Sequence, residues 1–382
     1  MTVEIGKSPG RSTTLAQLLG NRTAPAAAEL IQRLGDGVIR CHACGHRCLL
    51  KPGRDGVCRV RFNRDGELRV PFGYVGTLGC DPIEKKPFYH VLPGSDVLTF
   101  GMLGCDFHCG YCQNWVTSQM LRDAAAVAPL HECSAGQLVE LALDEGAPVI
   151  ASSYNEPLIT SEWAVAVFKA AIAAGLRCAF VSNGNATEQV LDYLRPYVSA
   201  YKVDLKTFND RNYRQLGGVL DHVTATIRML KQRGFWVEIV TLIVPGFSDD
   251  PDELRRMADF LVSVDPLMPW HVTAFHPDYK FDQAKGFRQT TSEDLFKVVQ
   301  IAERAGLRYI YAGNLPGGTG DYENTRCHRC GATVIERVGF LVRSNRLDDR
   351  GQCPSCHNVV PGIWDGMTSR PKGNGRIRRV AL

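Results

Sequence analysis

Three cysteines crowd into Gly104-Cys105-Asp106-Phe107-His108-Cys109-Gly110-Tyr111-Cys112, a Cys-x3-Cys-x2-Cys loop directly after the apolar stretch Val97-Leu98-Thr99-Phe100-Gly101-Met102-Leu103. Iron–sulfur cubes and structural zinc ions are normally held by four protein ligands, so three thiolates leave one metal position open to something that is not protein. A zinc knuckle completed by His108 is the alternative, although a single loop histidine is more often a solvated or packing residue. Two other cysteine groups are closed by count. Cys327-x2-Cys330 and Cys353-x2-Cys356, with 22 residues between the pairs, have the spacing of a zinc ribbon, and a hairpin from Thr333 to Arg343 fits between the knuckles. Such a site is structural. Cys41, Cys44, Cys48 and Cys58 form a second set of four, whose gaps of two, three and nine residues permit zinc or an auxiliary iron–sulfur cluster, zinc being the first expectation.

The rest of the composition narrows the class. With 382 residues, 45% of them hydrophobic and 22% charged, the chain is long enough for one large domain with small appendages. A net charge of +4 is too mild to argue for nucleic acid, and the ribbon lacks a dense basic and aromatic face; the locally basic tail from Arg370 to Arg379 is expected to be solvated. No apolar run is long enough to span a bilayer, and the segment with Lys7, Arg11 and the alanines from Ala24 to Ala28 lacks the apolar core of a secretory signal, so a cytoplasmic protein is expected. Most of the fourteen cysteines fall in short clusters, which suits metal sites rather than disulfides. Cys80, Cys133 and Cys178 stand apart and are expected to be buried and inert.

The elements that must position the Cys105 loop follow from periodicity. From residue 97 to about 314, short β-rich runs alternate with longer helical patterns, the pattern of βα units on a mainly parallel sheet. Strands are predicted over 97–103, 148–152, 177–182, 200–205, 236–244, 270–275 and 308–312, with helices over 161–174, 187–194, 222–233, 251–264 and 292–305 between them. The expected organisation is an N-terminal segment (1–36), a cysteine-rich region (37–96), the βα unit (97–318), the ribbon (319–366) and the basic tail (367–382).

Polar residues gather at the predicted strand ends: the Cys105 loop, Tyr154-Asn155-Glu156-Pro157, Asn183-Gly184-Asn185, Asp204-Leu205-Lys206, Val244-Pro245-Gly246, His276-Pro277 and Ala312-Gly313-Asn314. In a βα barrel these ends share one face, which is where active sites form. Glu156 there can accept hydrogen bonds from an ammonium group, or simply serve as a favourable charge at a helix N-terminus. Asn183 and Gly184 make a turn that lets backbone approach a ligand, or only a tight turn. Asp204 and Lys206, two apart on a strand, share a face and can serve one ligand or pair with each other.

On these residues the chain resembles the radical S-adenosylmethionine (SAM) superfamily. Within it the resemblance is to the enzyme of the AmmeMemoRadiSam system, related to pyruvate formate-lyase activating enzyme. It is carried by the Cys41–Arg61 block, Asp81-Pro82-Ile83-Glu84-Lys85-Lys86-Pro87-Phe88-Tyr89-His90, the Cys105 loop, Tyr154-Asn155-Glu156-Pro157, Asp204-Leu205-Lys206, Pro269-Trp270-His271 and the ribbon, and covers roughly residues 37 to 365. The resemblance implies a partial (β/α) barrel with small cysteine-rich metal-binding appendages at both ends. Cys105, Cys109 and Cys112 would bind three irons of a 4Fe–4S cluster, with SAM on the fourth iron and Tyr111 as the usual aromatic residue before the third cysteine. Tyr154-Asn155-Glu156 replaces the family's Gly-Gly-Glu, and Asn155, Glu156, Asn183, Gly184, Asp204, Lys206 and His271 would lie toward SAM. The implied chemistry is one-electron reduction by a flavodoxin or ferredoxin and cleavage of SAM to a 5′-deoxyadenosyl radical, which takes hydrogen from a small-molecule or protein substrate. The cofactor supplies that chemistry, and the barrel supplies placement and exclusion of water. Lys86 and His90 are expected near the mouth as substrate contacts. Activation of a glycyl-radical enzyme is the neighbouring alternative, and a zinc-binding scaffold or RNA-binding protein the alternative outside enzymology.

Overall fold

Strands covered on one face by helices and on the other by a packed interior carry apolar residues along most of their length, as Val149-Ile150-Ala151 and Ile239-Val240-Thr241-Leu242-Ile243 do. In the computed structural model, which describes residues 19–20, 22–123, 130–281, 286–315, 317–365, 377, 378 and 380, such segments build one eight-stranded sheet. Its strands are β1 (Thr77–Pro82), β2 (Asp96–Gly101), β3 (Val149–Ser152), β4 (Arg177–Ser182), β5 (Ala200–Asp204), β6 (Trp236–Ile243), β7 (Trp270–Ala274) and β8 (Ile310–Gly313). They lie side by side in chain order, with β1 and β8 at the edges. β2 to β8 are mutually parallel, and β1 runs antiparallel to β2. This is the mainly parallel βα sheet that the strand–helix alternation predicts, in the partial-barrel order that the resemblance implies.

The helices that return the chain are α1 (Ala135–Asp144), α2 (Ser161–Ala173), α3 (Glu188–Leu194), α4 (Leu220–Gln232), α5 (Pro251–Val264) and α6 (Ser292–Ala305). Their starts are written locally. Ser134 with Gln137, and Thr291 with Asp294, form capping boxes; Asp250 accepts from Glu253 N ahead of Pro251. Val223, Ile227 and Leu230 put the buried stripe of α4 at helical spacing. That stripe and its counterparts pack on outward-facing strand residues such as Phe180, Tyr201, Ile239 and Trp270.

Most predicted strands and helices are present, with ends shifted by a residue or two; β8 begins at Ile310 instead of Arg308, and α4 starts at Leu220. β1 and α1 are additions. Thr77-Leu78-Gly79-Cys80-Asp81-Pro82 contains three poor strand formers, yet an edge strand ending in proline loses no ladder bond. The boundary expected at residue 97 therefore falls inside the sheet.

The N-terminal cysteines sit among two small antiparallel sheets, Thr23–Pro25 with Glu67–Pro71 and Phe62–Arg64, and Ile31–Arg33 with Ile39–Cys41 and Leu49–Leu50, with Cys41 ending a strand and Cys44, Cys48 and Cys58 in the connecting loops. This unit begins inside the expected segment 1–36, of which residues 1–18 and 21 lie outside the described residues. The ribbon is a three-stranded sheet, Thr325–Arg326, Thr333–Val338 and Leu341–Asn345, with its hairpin where the spacing predicts it. The tail corrects an expectation. Of the basic stretch most lies outside the described residues, but Arg378 exchanges both backbone hydrogen bonds with Cys80 on β1 and its guanidinium reaches Asp96 (2.7 Å) and Glu145 (3.1 Å). An open strand edge flanked by two carboxylates gives that arginine partners that solvent does not. Among the described residues no helix is long and apolar enough to cross a membrane.

Candidate active site

β2 delivers the chain through Gly104 into the cysteine loop, and the short helix Trp115–Ser118 turns it back. Phe107 N donates to Cys105 Sγ (3.3 Å), and Cys112 Sγ lies 3.2 Å from Ser118 Oγ. Gln119 Nε2 donates to Phe107 O (3.1 Å) and Arg122 to Cys105 O (2.7 Å), so the loop is fixed by donors from the segment that follows it. Cys105, Cys109 and Cys112 all face a cavity of about 570 Å³. Burial pushes the Cys109 thiol up to about 12 against the pull of the Lys206 ammonium. Tyr111 is buried between Phe247 and Phe281 at the same cavity, its hydroxyl without a partner. Three thiols on the wall of one open volume leave room for a cluster completed by a small molecule. His108 is exposed, its ring against Gly217, and it forms no compact ligand group with the loop thiols, which counts against the knuckle alternative.

The ends of β3 and β4 are tied together beneath the loop. Glu156, 2% exposed, accepts from Leu158 N (3.0 Å), Ser182 Oγ (2.7 Å) and Asn183 N (2.7 Å). Burial, and then the charge of Asp106, raise its pKa. Much of its acceptor capacity is thus spent on the chain itself. Asn155 lines the cavity but its Oδ1 accepts from Met102 N (2.9 Å), holding the entry to the cysteine loop. Gly184 sits at φ +76°, where a Cβ would lie 2.6 Å from Val203 Cγ1, so only glycine fits the turn; it is not among the cavity-lining residues. Asn183 does line the cavity, and its side chain donates to Asp106 Oδ1 (2.7 Å), while Asn185 donates to Asp106 Oδ2 (2.8 Å). Asp106, wholly buried inside the loop, is thus the knot between β2, β4 and the cysteines. Sequence reasoning missed it because nothing in the spacing separates it from the other residues between the ligands.

Across the cavity, alternation along the strands sets the lining. Paired registers bring Val181, Lys202 and Glu238 to one level, and Asp204, Val240, His271 and Tyr311 to the next. Asp204 pairs with Lys202, and with Lys206 at 3.4 Å; its pKa is lowered, burial being overcome by the two ammonium groups. Lys202 lies two before Asp204 on the same strand, so the period that joined Asp204 to Lys206 pointed to it as well. His271 lies within β7, buried, its Nε2 2.7 Å from Glu238 Oε2, and reaches the cavity from the floor. The ends at Val244-Pro245-Gly246 and His276 do not line the cavity; His276 Nε2 instead meets Asn314 O at 3.2 Å.

The segment from Asp81 to His90 splits the two expected substrate contacts. Lys86 stands on the cavity wall, its ammonium 2.7 Å from Asp81 Oδ2, 2.9 Å from Tyr154 Oη and 4.4 Å from the centre of the Tyr154 ring. Burial draws its pKa down to about 8 against Asp81. Tyr154 itself holds φ +68°, a strained value for an aromatic residue. His90 is a correction. It is fully buried outside the cavity lining, with Nδ1 2.6 Å from Pro361 O and Nε2 2.6 Å from Tyr311 Oη, because the ribbon closes over it.

In the ribbon, Cys327 and Cys356 bring their sulfurs to 3.6 Å and Cys330 and Cys353 to 3.7 Å. A single zinc with bonds of about 2.3 Å sets tetrahedral thiolates about 3.8 Å apart, so the four fit one ion. Among the described residues this is the only set of three or more histidine, cysteine or carboxylate ligand atoms lying within 4.8 Å of one another. No three of Cys41, Cys44, Cys48 and Cys58 bring their sulfurs within 4.8 Å of one another. The ribbon is bolted to the barrel by Arg337, whose buried guanidinium donates to Tyr89 O (2.7 Å) and Thr325 Oγ1 (2.8 Å) and lies 3.5 Å from Glu84.

The chain is 35% identical over 336 residues to an uncharacterised protein of Methanocaldococcus jannaschii, covering 87% of this chain and 98% of that one. It is 25% identical over 244 residues to pyruvate formate-lyase 1-activating enzyme of Escherichia coli K12, covering 57% of this chain and 93% of that one. A radical SAM methyltransferase of Sphaerobacter thermophilus superposes with a TM-score of 0.45 at 16% identity, over 60% of this chain and 70% of that one. The family pattern described as the radical SAM superfamily matches residues 100–261, the stretch from the end of β2 into α5 that carries the three-cysteine loop and most of the cavity. The chain belongs to the radical SAM superfamily.

Proposed function

We propose that this protein cleaves S-adenosylmethionine reductively at a 4Fe–4S cluster held by Cys105, Cys109 and Cys112, and uses the product to remove hydrogen from a substrate bound in the same cavity. When bound, the reduced cluster would supply one electron to the sulfonium of SAM, so that its C5′–S bond breaks to methionine and a 5′-deoxyadenosyl radical, recovered as 5′-deoxyadenosine once it has taken a hydrogen atom from substrate. The observation that carries this reading is convergence: three thiols, Asp204, Lys206, Asn155, Glu156 and Asn183 face one cavity of about 570 Å³, a size that suits a small-molecule site.

The chain's own residues then divide by place. Asp204 and Lys206 are the charged pair whose fields reach Cys109 and Cys112, and they suit the zwitterionic end of SAM. Glu156 and Gly184 act at one remove, fixing the Asn183 turn. Tyr111 walls off the cluster from solvent, and Lys86, Tyr154 and His271 line the side left for substrate. The ribbon cysteines hold zinc as a scaffold. A flavodoxin or ferredoxin in the cytoplasm delivers the electron, and the AmmeMemoRadiSam branch is the one whose motifs the chain carries.

A second reading, activation of a glycyl-radical enzyme, draws on the 25% identity to the E. coli activase. Anaerobic reconstitution followed by dithionite and SAM tests both. Formation of 5′-deoxyadenosine in wild type and none in Cys109→Ser is the expected result, and its absence from protein with a full complement of iron removes the proposal. A glycine-centred electron paramagnetic resonance signal in a co-purifying partner would favour the second reading.

A further inference from the structure

We propose that Cys41, Cys44, Cys48 and Cys58 hold a second iron–sulfur cluster, a 4Fe–4S cube with four thiolate ligands, set directly behind the Cys105 loop.

Three observations carry this. The first is the donor set. Cys41-x2-Cys44-x3-Cys48 crowds three thiols into eight residues, the mirror image of Cys105-x3-Cys109-x2-Cys112, and Cys58 adds the fourth ligand that the Cys105 loop lacks. Four thiolates from one small fold are the usual complement of a closed cluster. The second is spacing. The ribbon thiols converge to the distance set by one shared ion, whereas neither the Cys105 set nor the N-terminal set does, in a fold where all three sets are described. Thiolates on separate irons must stand further apart than thiolates on one zinc, so the N-terminal set groups with the Cys105 set. The thiols nonetheless share one place: Gly56 lies between Cys48 and Cys58, its Cβ position 3.6 Å from each sulfur, and Val57 N donates to Cys48 Sγ (3.5 Å).

The third observation is contact between the two cysteine loops. Gly104, at φ +88°, meets Cys58 directly: a Cβ there would lie 3.2 Å from Cys58 O and 2.8 Å from Val60 Cγ1, which excludes any other residue. His46 Nε2 lies 3.9 Å from Asp106 Oδ2, and its ring stands edge-on to Phe107 at 6.4 Å. Arg122 donates to Val57 O on one loop and to Cys105 O (2.7 Å) on the other. Cys41, Cys44 and Cys58 are buried and Cys48 is partly exposed, so the set runs from the surface toward the Cys105 loop. The cube in this position passes single electrons from a reduced flavodoxin- or ferredoxin-type donor to the inner cluster, with no bond made or broken. That relay role rests on the proposed function; the metal assignment does not.

The test is metal content after anaerobic reconstitution. Wild type is expected to carry about eight iron and one zinc per chain, and the triple variant Cys105→Ser/Cys109→Ser/Cys112→Ser about four iron with equal sulfide and one zinc. The triple variant alters only the loop, and it removes the proposed catalytic cluster, so its iron reports the N-terminal set alone. Cys44→Ala combined with Cys58→Ala should lower wild-type iron from about eight to about four and leave the ribbon zinc in place. A triple variant without iron, whether it holds about one zinc or about two, overturns the proposal. Iron in the triple variant together with no 5′-deoxyadenosine from wild type would sink the proposed function and leave the second cluster standing.

Discussion

The Cys105 loop and the ribbon spend cysteine in opposite ways. In the ribbon four sulfurs close to 3.6 and 3.7 Å in two pairs, and the knuckle backbones curl around them, with Gly331 N donating to Cys327 O and His357 N to Cys353 O. Nothing is left for a substrate. In the loop three sulfurs stand apart on the wall of a cavity that also receives Asp204, Lys206 and Lys86. A closed ligand set turns metal affinity into folding free energy, whereas an open one turns it into a reactive position. The two regions are joined through Arg337, Glu84 and Tyr89, so the structural site supports the wall of the chemical one.

The comparison is broken most decisively at Cys109. Cys109→Ser is expected to abolish 5′-deoxyadenosine formation while the zinc content stays at that of wild type. Loss of zinc together with iron would mean the two regions are not independent. Cys353→Ser should do the converse. The ribbon loses its metal and destabilises by several kcal/mol, on the order of 5, while the iron of the barrel stays bound. Because Phe340 and Tyr89 line the cavity, turnover is expected to fall about tenfold through displaced wall residues. A Cys353→Ser protein that melts like wild type would show that the ribbon is not metal-stabilised. Asp204→Asn sharpens the contrast from the other side. It leaves Lys202 and Lys206 without their carboxylate, and SAM binding measured by calorimetry should weaken about tenfold to a hundredfold with little loss of iron or zinc. Unchanged affinity would remove Asp204 from the cofactor side.

Much of this was legible because the signals were local. The strand–helix alternation and all three cysteine sets are written in short stretches of chain. What escaped depends on contacts far apart in sequence. Asp106 becomes the knot of the site only when β4 brings Asn183 and Asn185 to it. β1 is a strand only because β2 offers it an edge, and Arg378 docks there because β1 leaves its other edge unpaired. His90 carried the right motif but the wrong surroundings: periodicity cannot reveal that a ribbon some 270 residues later closes over it.

That burial gives the smallest of the expected effects, and one that reads the seam between the two regions directly. Pro361 O can only accept, so His90 donates from Nδ1 and Nε2 accepts from the Tyr311 hydroxyl; the ring is neutral in this arrangement. Burial holds its pKa down at about 4, against an opposing pull from Glu238. The unfolded chain takes up a proton near pH 6.5 while the folded chain stays unprotonated to about 4, so stability is full above 6.5 and is lost as pH falls through that window. The slope cannot exceed one proton, about 1.4 kcal/mol per pH unit. Other groups titrate there too, cysteine sites included. The measurement is therefore the difference between wild type and His90→Gln in denaturant unfolding at pH 7.5 and 5.5. Glutamine keeps one donor and one acceptor but has no proton to gain, so the variant should lose less stability on acidification than wild type. Equal losses would mean that His90 is already charged, or already wet, and that the ribbon does not seal the barrel at this point.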